Sequence, residues 1–149
     1  MAYRVLSSRD AFWRPSNQMK VENTDLAKQL EAETLGARFW RLHPGQASTK
    51  HRHFEMHELY VLIEGTGRMR IDDEVVTLDP HSAVLVEPEH VRQLFNDTDE
   101  DALWLVAGAP REGVTSTLEM TEEQLAGMYP DGPKAMPPEL GGGQLDPDR

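Results

Sequence analysis

Between Ala37 and Pro110 short apolar runs recur, each closed by a cluster of Gly, Pro, Asp or Glu. The runs are Arg38–Leu42, Glu58–Ile63, Arg68–Ile71, Val75–Leu78, Ala83–Val86, Val91–Phe95 and Ala102–Ala107. They are rich in β-formers, and most begin roughly 8 to 12 residues after the one before. No segment of helical period interrupts them, which argues against crossover helices and a parallel sheet. The pattern predicts an all-β sandwich or barrel. Asp72-Asp73 reads as a hairpin turn and Gly65 as the hinge of a sharp return into Arg68–Ile71.

Flanking segments are different in kind. Residues 1–36 read as an N-terminal arm on the barrel, with a strand at Tyr3–Leu6, a turn at Pro15–Asn17 and a helix from Asn23 to Leu35. Residues 37–110 are the barrel itself. In residues 111–149, Thr121-Glu122-Glu123-Gln124 has the form of a capping box opening a short helix to Met128. After Tyr129 the chain is rich in Pro, Gly and Asp. That composition predicts a flexible tail, mobile or laid over a neighbouring subunit. No internal repeat is present, so a single barrel is expected.

Composition narrows the function classes. With 26 acidic against 15 basic residues the chain carries a formal charge of -11, which disfavours nucleic acid and anionic lipid as partners. It has no cysteine, which excludes disulfides, thiolate metal sites and cysteine nucleophiles. No stretch approaches the roughly 18 apolar residues of a membrane span, and Met1–Asp10 is followed by no apolar core of a signal peptide. A cytoplasmic location is expected.

The segment Gly45–Gly65 carries the chemistry. Its spacing is Gly45, five residues, His51, one residue, His53, four residues, Glu58, six residues, Gly65. Histidines two apart on a strand point to one face. A turn that folds Glu58 back beside them brings two imidazoles and a carboxylate together, a donor set suited to a divalent metal with open coordination positions.

This spacing resembles the first motif of the cupin superfamily, in its small single-domain type with a conserved barrel. The resemblance continues at His81–Asn96, which aligns without gaps on the second cupin motif, and the similar stretch runs from Ala37 to Gly108. It implies a double-stranded β-helix, or jelly-roll barrel, with a site in the barrel mouth, to which the short N- and C-terminal helical segments read above are added. It also implies His51, His53 and Glu58 as metal ligands for Mn, Fe, Ni or Zn, and a homodimer. The second motif departs from the pattern. His81 and Glu89 stand where glycines are usual, and Arg92 stands in the place of a third metal-binding histidine. An arginine has no lone pair to give.

Three placements of Arg92 are open. It pairs with Glu58, it clamps an anionic ligand in the pocket, or it turns to solvent while His90 or Gln93 reaches in through a changed register. Tyr60 and Leu62 share the parity of Glu58 and are expected to line the pocket, with Tyr60 a candidate acid–base group. Leu59, Val61 and Ile63 face the other way and require a cover from a second sheet, the N-terminal strand or a dimer partner. His57, His43 and His81 are expected at the surface, Trp40 and Trp104 in the core, and Trp13 as an anchor of the arm. Three functions follow. They are a metal- or small-molecule-binding cupin without assigned activity, a metal-dependent dioxygenase or isomerase acting on a small anionic substrate, and a metal-free binding protein closed by a Glu58–Arg92 pair.

Overall fold

The computed structural model describes residues 2–112 and 117–146. Met1, at the start of the arm, and residues 113–116 and 147–149, the last three belonging to the expected tail, lie outside the described residues. The described residues form nine strands: β1 Arg14–Pro15, β2 Glu22–Asp25, β3 Gly36–Leu42, β4 His57–Glu64, β5 Gly67–Ile71, β6 Glu74–Leu78, β7 Ala83–Val86, β8 Arg92–Phe95 and β9 Ala102–Ala109. They form two antiparallel sheets, one in the order β1-β2-β3-β9-β4-β7 and the other β6-β5-β8. Among the described residues, backbone hydrogen bonds do not close the two into one continuous barrel. Their inner faces meet in a single core, where Leu42, Leu62 and Trp104 from the larger sheet pack with Met69, Leu94 and Phe95 from the smaller. Alternation along each strand produces this core. In β4 the residues Glu58, Tyr60 and Leu62 are buried while His57 and Leu59 are exposed.

Two turns matter for the site. Gly65 carries the chain from β4 in one sheet to β5 in the other at φ 82°, and a Cβ there would stand 2.2 Å from the Asp101 carbonyl oxygen. Only glycine fits both constraints. Asp72 and Asp73 make the β5–β6 hairpin, with Asp72 at φ 50°.

The N-terminal arm departs from the expected helix. Residues 22–25 form β2, paired with Arg38–Arg41 of β3, and only Leu26–Gln29 are helical (α1). Asn23 and Thr24 are buried in this ladder, where the Asn23 side chain donates to the Arg14 and Val21 carbonyls and accepts from Arg38. Pairing with an open sheet edge outweighs a weak helical propensity there. Tyr3 and Val5 lie exposed outside any strand, since a lone extended segment has no ladder to join. Pro15 lies in β1, and the turn falls at residues 17–19. Trp13 stacks on Phe39 at 6.3 Å and so ties the arm to β3.

In the C-terminal zone α2 spans Glu122–Met128 behind a complete capping box at Thr121 and Gln124. The described part of the segment after it lies along its own barrel. Ala135 is buried, Met136, Leu140 and Leu145 pack on the core, and Glu139 pairs with Arg70. Four apolar side chains in a polar stretch are enough to seat it, which composition averaged over the segment conceals.

Candidate metal centre

The first motif begins as a short extension of the smaller sheet. His51 faces Arg92 in an antiparallel bridge, exchanging both backbone hydrogen bonds at 3.0 and 2.8 Å. Directly opposed residues share a face, so the His51 ring and the Arg92 guanidinium point the same way. His53, two residues on, returns to that face, while Arg52 between them points outward. The chain then turns through Phe54–Met56 and enters β4, where Glu58 looks back at both rings.

The result is a tight cluster. His51, His53 and Glu58 each offer a ligand atom, all within 4.8 Å of one another. The His53 Nε2 is 3.0 Å and the His51 Nε2 3.4 Å from the same Glu58 oxygen, Oε1. Tyr60 donates its hydroxyl to that oxygen at 2.7 Å, and Arg92 Nη1 stands 3.4 Å from it. The histidine side chains are 16% and 13% exposed, so the cluster keeps only a narrow opening.

Each imidazole is oriented from behind. His51 Nδ1 lies 3.0 Å from the Thr49 carbonyl oxygen and His53 Nδ1 lies 3.1 Å from a Glu112 carboxylate oxygen. The Thr49 carbonyl and the Glu112 carboxylate can only accept, which favours a proton on each Nδ1, while each Nε2 faces the Glu58 carboxylate. That donor set fits a divalent transition ion: two imidazole nitrogens and a carboxylate, with the outer nitrogens already committed. Arg92 stands against the fit as a fixed cation beside the carboxylate.

Electrostatics follow the geometry. Burial alone would raise the pKa of Glu58, but His51 and His53 hold it well below the usual carboxylate range. Burial would lower the His53 pKa, and the Glu58 and Glu112 carboxylates outweigh that and raise it. Tyr60 is pushed well above its ordinary value by burial and by the charge of Glu58. Its hydroxyl is a fixed donor to Glu58, which leaves it poorly suited to the acid–base role expected from sequence.

Arg92 is fully buried, with Nη2 donating to the Glu87 carbonyl at 2.6 Å and Nη1 directed at Glu58, while its Nε has no hydrogen-bond partner among the described residues. His90 is not turned inward: its side chain is half-exposed and pairs with Asp72 at 2.7 Å, because no register change occurs in β8. Gln93 is buried but donates to the Ser48 and Ala135 carbonyls, away from the cluster. His43, His57 and His81 are exposed, and His43 pairs with Asp101. Trp104 is buried against the Tyr60 ring, and Trp40 is partly buried. Asn96 is buried in the following turn, tying Leu42 and Glu100 carbonyls to its amide.

Sequence reasoning missed three residues at the site. Arg52 donates its backbone N–H to the Met128 carbonyl and its side-chain Nε to that of Gly127, tying the end of α2 to the segment that carries His51 and His53. Tyr129, next along, is buried with its ring 6.4 Å from that of His51, and burial together with the charge of Glu58 pushes its pKa up to about 12. Glu112 follows the last strand. No spacing rule connects these positions to the motif; only the path of the chain after β9 brings them there. A cavity of about 270 Å³ adjoins the cluster through Glu112 and is also bordered by Phe54, Arg111 and Met128.

The comparisons agree with this architecture. The profile of the Cupin domain matches residues 38–108. Those residues are a cupin domain. No curated protein matches the sequence. Among solved structures, a sugar phosphate isomerase of the cupin superfamily from Silicibacter pomeroyi superposes with a TM-score of 0.66 at 19% identity, covering 81% of this chain and 99% of its own. A predicted oxalate decarboxylase from Thermotoga maritima gives 0.64 at 18%, covering 72% and 100%. KdgF from Halomonas sp. gives 0.63 at 16%, covering 73% and 94%. At these identities the likeness shows the fold, and the fold hosts many chemistries.

Proposed function

We propose that this cupin binds one divalent transition metal through His51 Nε2, His53 Nε2 and Glu58, and that a small molecule reaches the ion through the barrel mouth. The observation that carries this reading is the convergence of three ligand atoms within 4.8 Å, with both imidazoles held by acceptors on their outer nitrogens. Mn, Fe, Ni and Zn all suit the set. When bound, the ion supplies Lewis-acid or redox activation of a ligand oxygen. The chain's own part is to hold the carboxylate with Tyr60 and Arg92, to limit water through the Tyr129 ring, and to keep the imidazole protons on Nδ1.

The enzymatic form of this reading is a metal-dependent dioxygenase or isomerase acting on a small anionic substrate. The reading of Arg92 as an anion clamp is weakened by the engagement of both its Nη groups. A second reading rests on the Arg92–Glu58 contact at 3.4 Å: the pair stands in for the ion and the barrel binds its ligand without metal. The expected homodimer would cover Leu59 and Leu85, neighbours on β4 and β7 that are 41% and 65% exposed. A cytoplasmic setting stays part of the proposal.

Elemental analysis of the untagged protein, followed by dialysis against each of the four metals, tests the reading. About one ion per chain, lost in His51→Ala and Glu58→Ala, supports it. No bound ion with any of the four sinks it in favour of the metal-free pair.

A further inference from the structure

Glu112 sits outside both sequence motifs, yet it touches both the His53 ring and the turn that leads from His53 to Glu58. Its Oε1 accepts from three successive backbone N–H groups, Phe54 at 2.7 Å, Glu55 at 2.8 Å and Met56 at 3.0 Å. These residues are the turn that brings Glu58 back beside the histidines. Its Oε2 takes the Nδ1 of His53 at 3.1 Å. The side chain is 11% exposed, so these contacts are partly shielded from solvent.

We propose that Glu112 is the positioning residue of the metal centre, fixing the His53 ring with one oxygen and the His53-to-Glu58 turn with the other. The inference rests on the metal-binding reading above and deepens it. Two physical arguments support it. A carboxylate can only accept, so it selects the imidazole form with the proton on Nδ1 and the Nε2 lone pair free for an ion. Three converging N–H groups make an anion nest that a carboxylate fills and an apolar side chain cannot. Glu112 also adds a second negative charge near the cluster. Arg92 brings a positive one where the family pattern has a neutral histidine, and Glu112 offsets it.

The isosteric Glu112→Gln variant separates positioning from mere folding. Its amide oxygen still accepts from the three N–H groups, while its NH₂ faces His53 Nδ1. That favours a proton on Nε2, the form that cannot ligate. Mn²⁺ and Zn²⁺ affinities would be measured by competition with a chelating dye, beside thermal unfolding of the metal-free proteins. Affinity should fall about 10- to 100-fold in E112Q, the range typical of lost outer partners of a ligand, with unfolding temperature near that of the unaltered chain. Amide hydrogen exchange at Phe54, Glu55 and Met56 should quicken in Glu112→Ala and not in E112Q. A loss of affinity smaller than about threefold in E112Q overturns the proposal while the metal reading stands. If the unaltered chain binds neither ion, the metal reading fails first and takes this one with it. Should E112Q not fold, Glu112→Asp, too short to reach ring and turn together, replaces it under the same thresholds.

Discussion

Tyr60→Phe removes one oxygen and nothing else, which makes it the cleanest probe of how Glu58 is held. The lost hydroxyl donates at 2.7 Å to a buried carboxylate, and the ring keeps its edge contact with Trp104. A hydrogen bond to a charged acceptor is worth about 1.5–3 kcal/mol. Glu58 Oε1 retains three other donors nearby, His51, His53 and Arg92, so a value near the lower end, about 2 kcal/mol, is expected. For a chain of this length that lowers Tm by roughly 6 °C. Unfolding of the chelator-treated protein by urea and by heat at pH 7 measures it. The acid limb gives a second reading. Glu58 has a depressed folded pKa, so its stabilisation is present above its ordinary value of 4.5 and is lost as pH falls through the folded value. Y60F weakens that hold, moves the folded value upward, and should shift the acid limb to higher pH. In a Glu58→Gln background the same hydroxyl meets a neutral amide, and Y60F should cost about half as much. Equal costs in the two backgrounds, or a cost under about 0.5 kcal/mol at pH 7, would refute the claim that this bond anchors the carboxylate.

Other perturbations test the rest of the site. Arg92→His replaces a buried cation, directly across the strand pair from His51, by a neutral donor; Mn²⁺ affinity by dye competition should rise at least tenfold, and an unchanged value would show that Arg92 does not face the ion. His53 has a raised folded pKa, so its contribution to the metal-free protein is complete below 6.5 and declines as pH rises through the folded value. The urea midpoint should therefore drop between pH 6 and pH 9, less so in His53→Gln, whereas metal affinity should increase over the same range as ligand protons are displaced. Gly65→Ala puts a methyl 2.2 Å from a backbone oxygen at φ 82° and should cost more than about 2 kcal/mol in unfolding experiments; near-normal stability would mean the turn is not built as described. Leu85→Glu should convert the expected homodimer to monomer in sedimentation, and an unaffected oligomer would place the interface elsewhere.

What the sequence discloses and what it hides divides along physical lines. Local signals survive intact: the hairpin at Asp72-Asp73, the capping box at Thr121, and the alternation that buries Tyr60 and Leu62 are each decided within a few residues. The inward pairing of His51 with His53 is equally local, being a matter of strand parity. Contacts made by late chain return are not local. β2 forms because β3 offers an edge to Glu22–Asp25, and no property of those four residues announces it. The same holds for Glu112, which is one acidic residue among many until β9 delivers it to the turn at Phe54–Met56. Arg92 lies between the extremes. Its position in the second motif is legible, but its direction depends on the bridge to His51.

That bridge bears on what an arginine does to a metal centre. A lone buried cation would repel an incoming ion, and at an effective dielectric of about 20 two such charges a few ångströms apart interact by several kcal/mol. The site does not leave it alone. Arg92 gives one Nη to a backbone carbonyl and the other to Glu58, and Glu112 brings a further carboxylate to the far side of His53. Two carboxylates and one guanidinium leave a net negative charge around two imidazoles, which is a favourable setting for a divalent ion. At His53, whose pKa the carboxylates raise, protons and metal would compete for Nε2. On the proposed metal reading, an arginine in the third-ligand place would not abolish the centre; it would give up one coordination position for a firmly held carboxylate and leave that position to a small-molecule ligand.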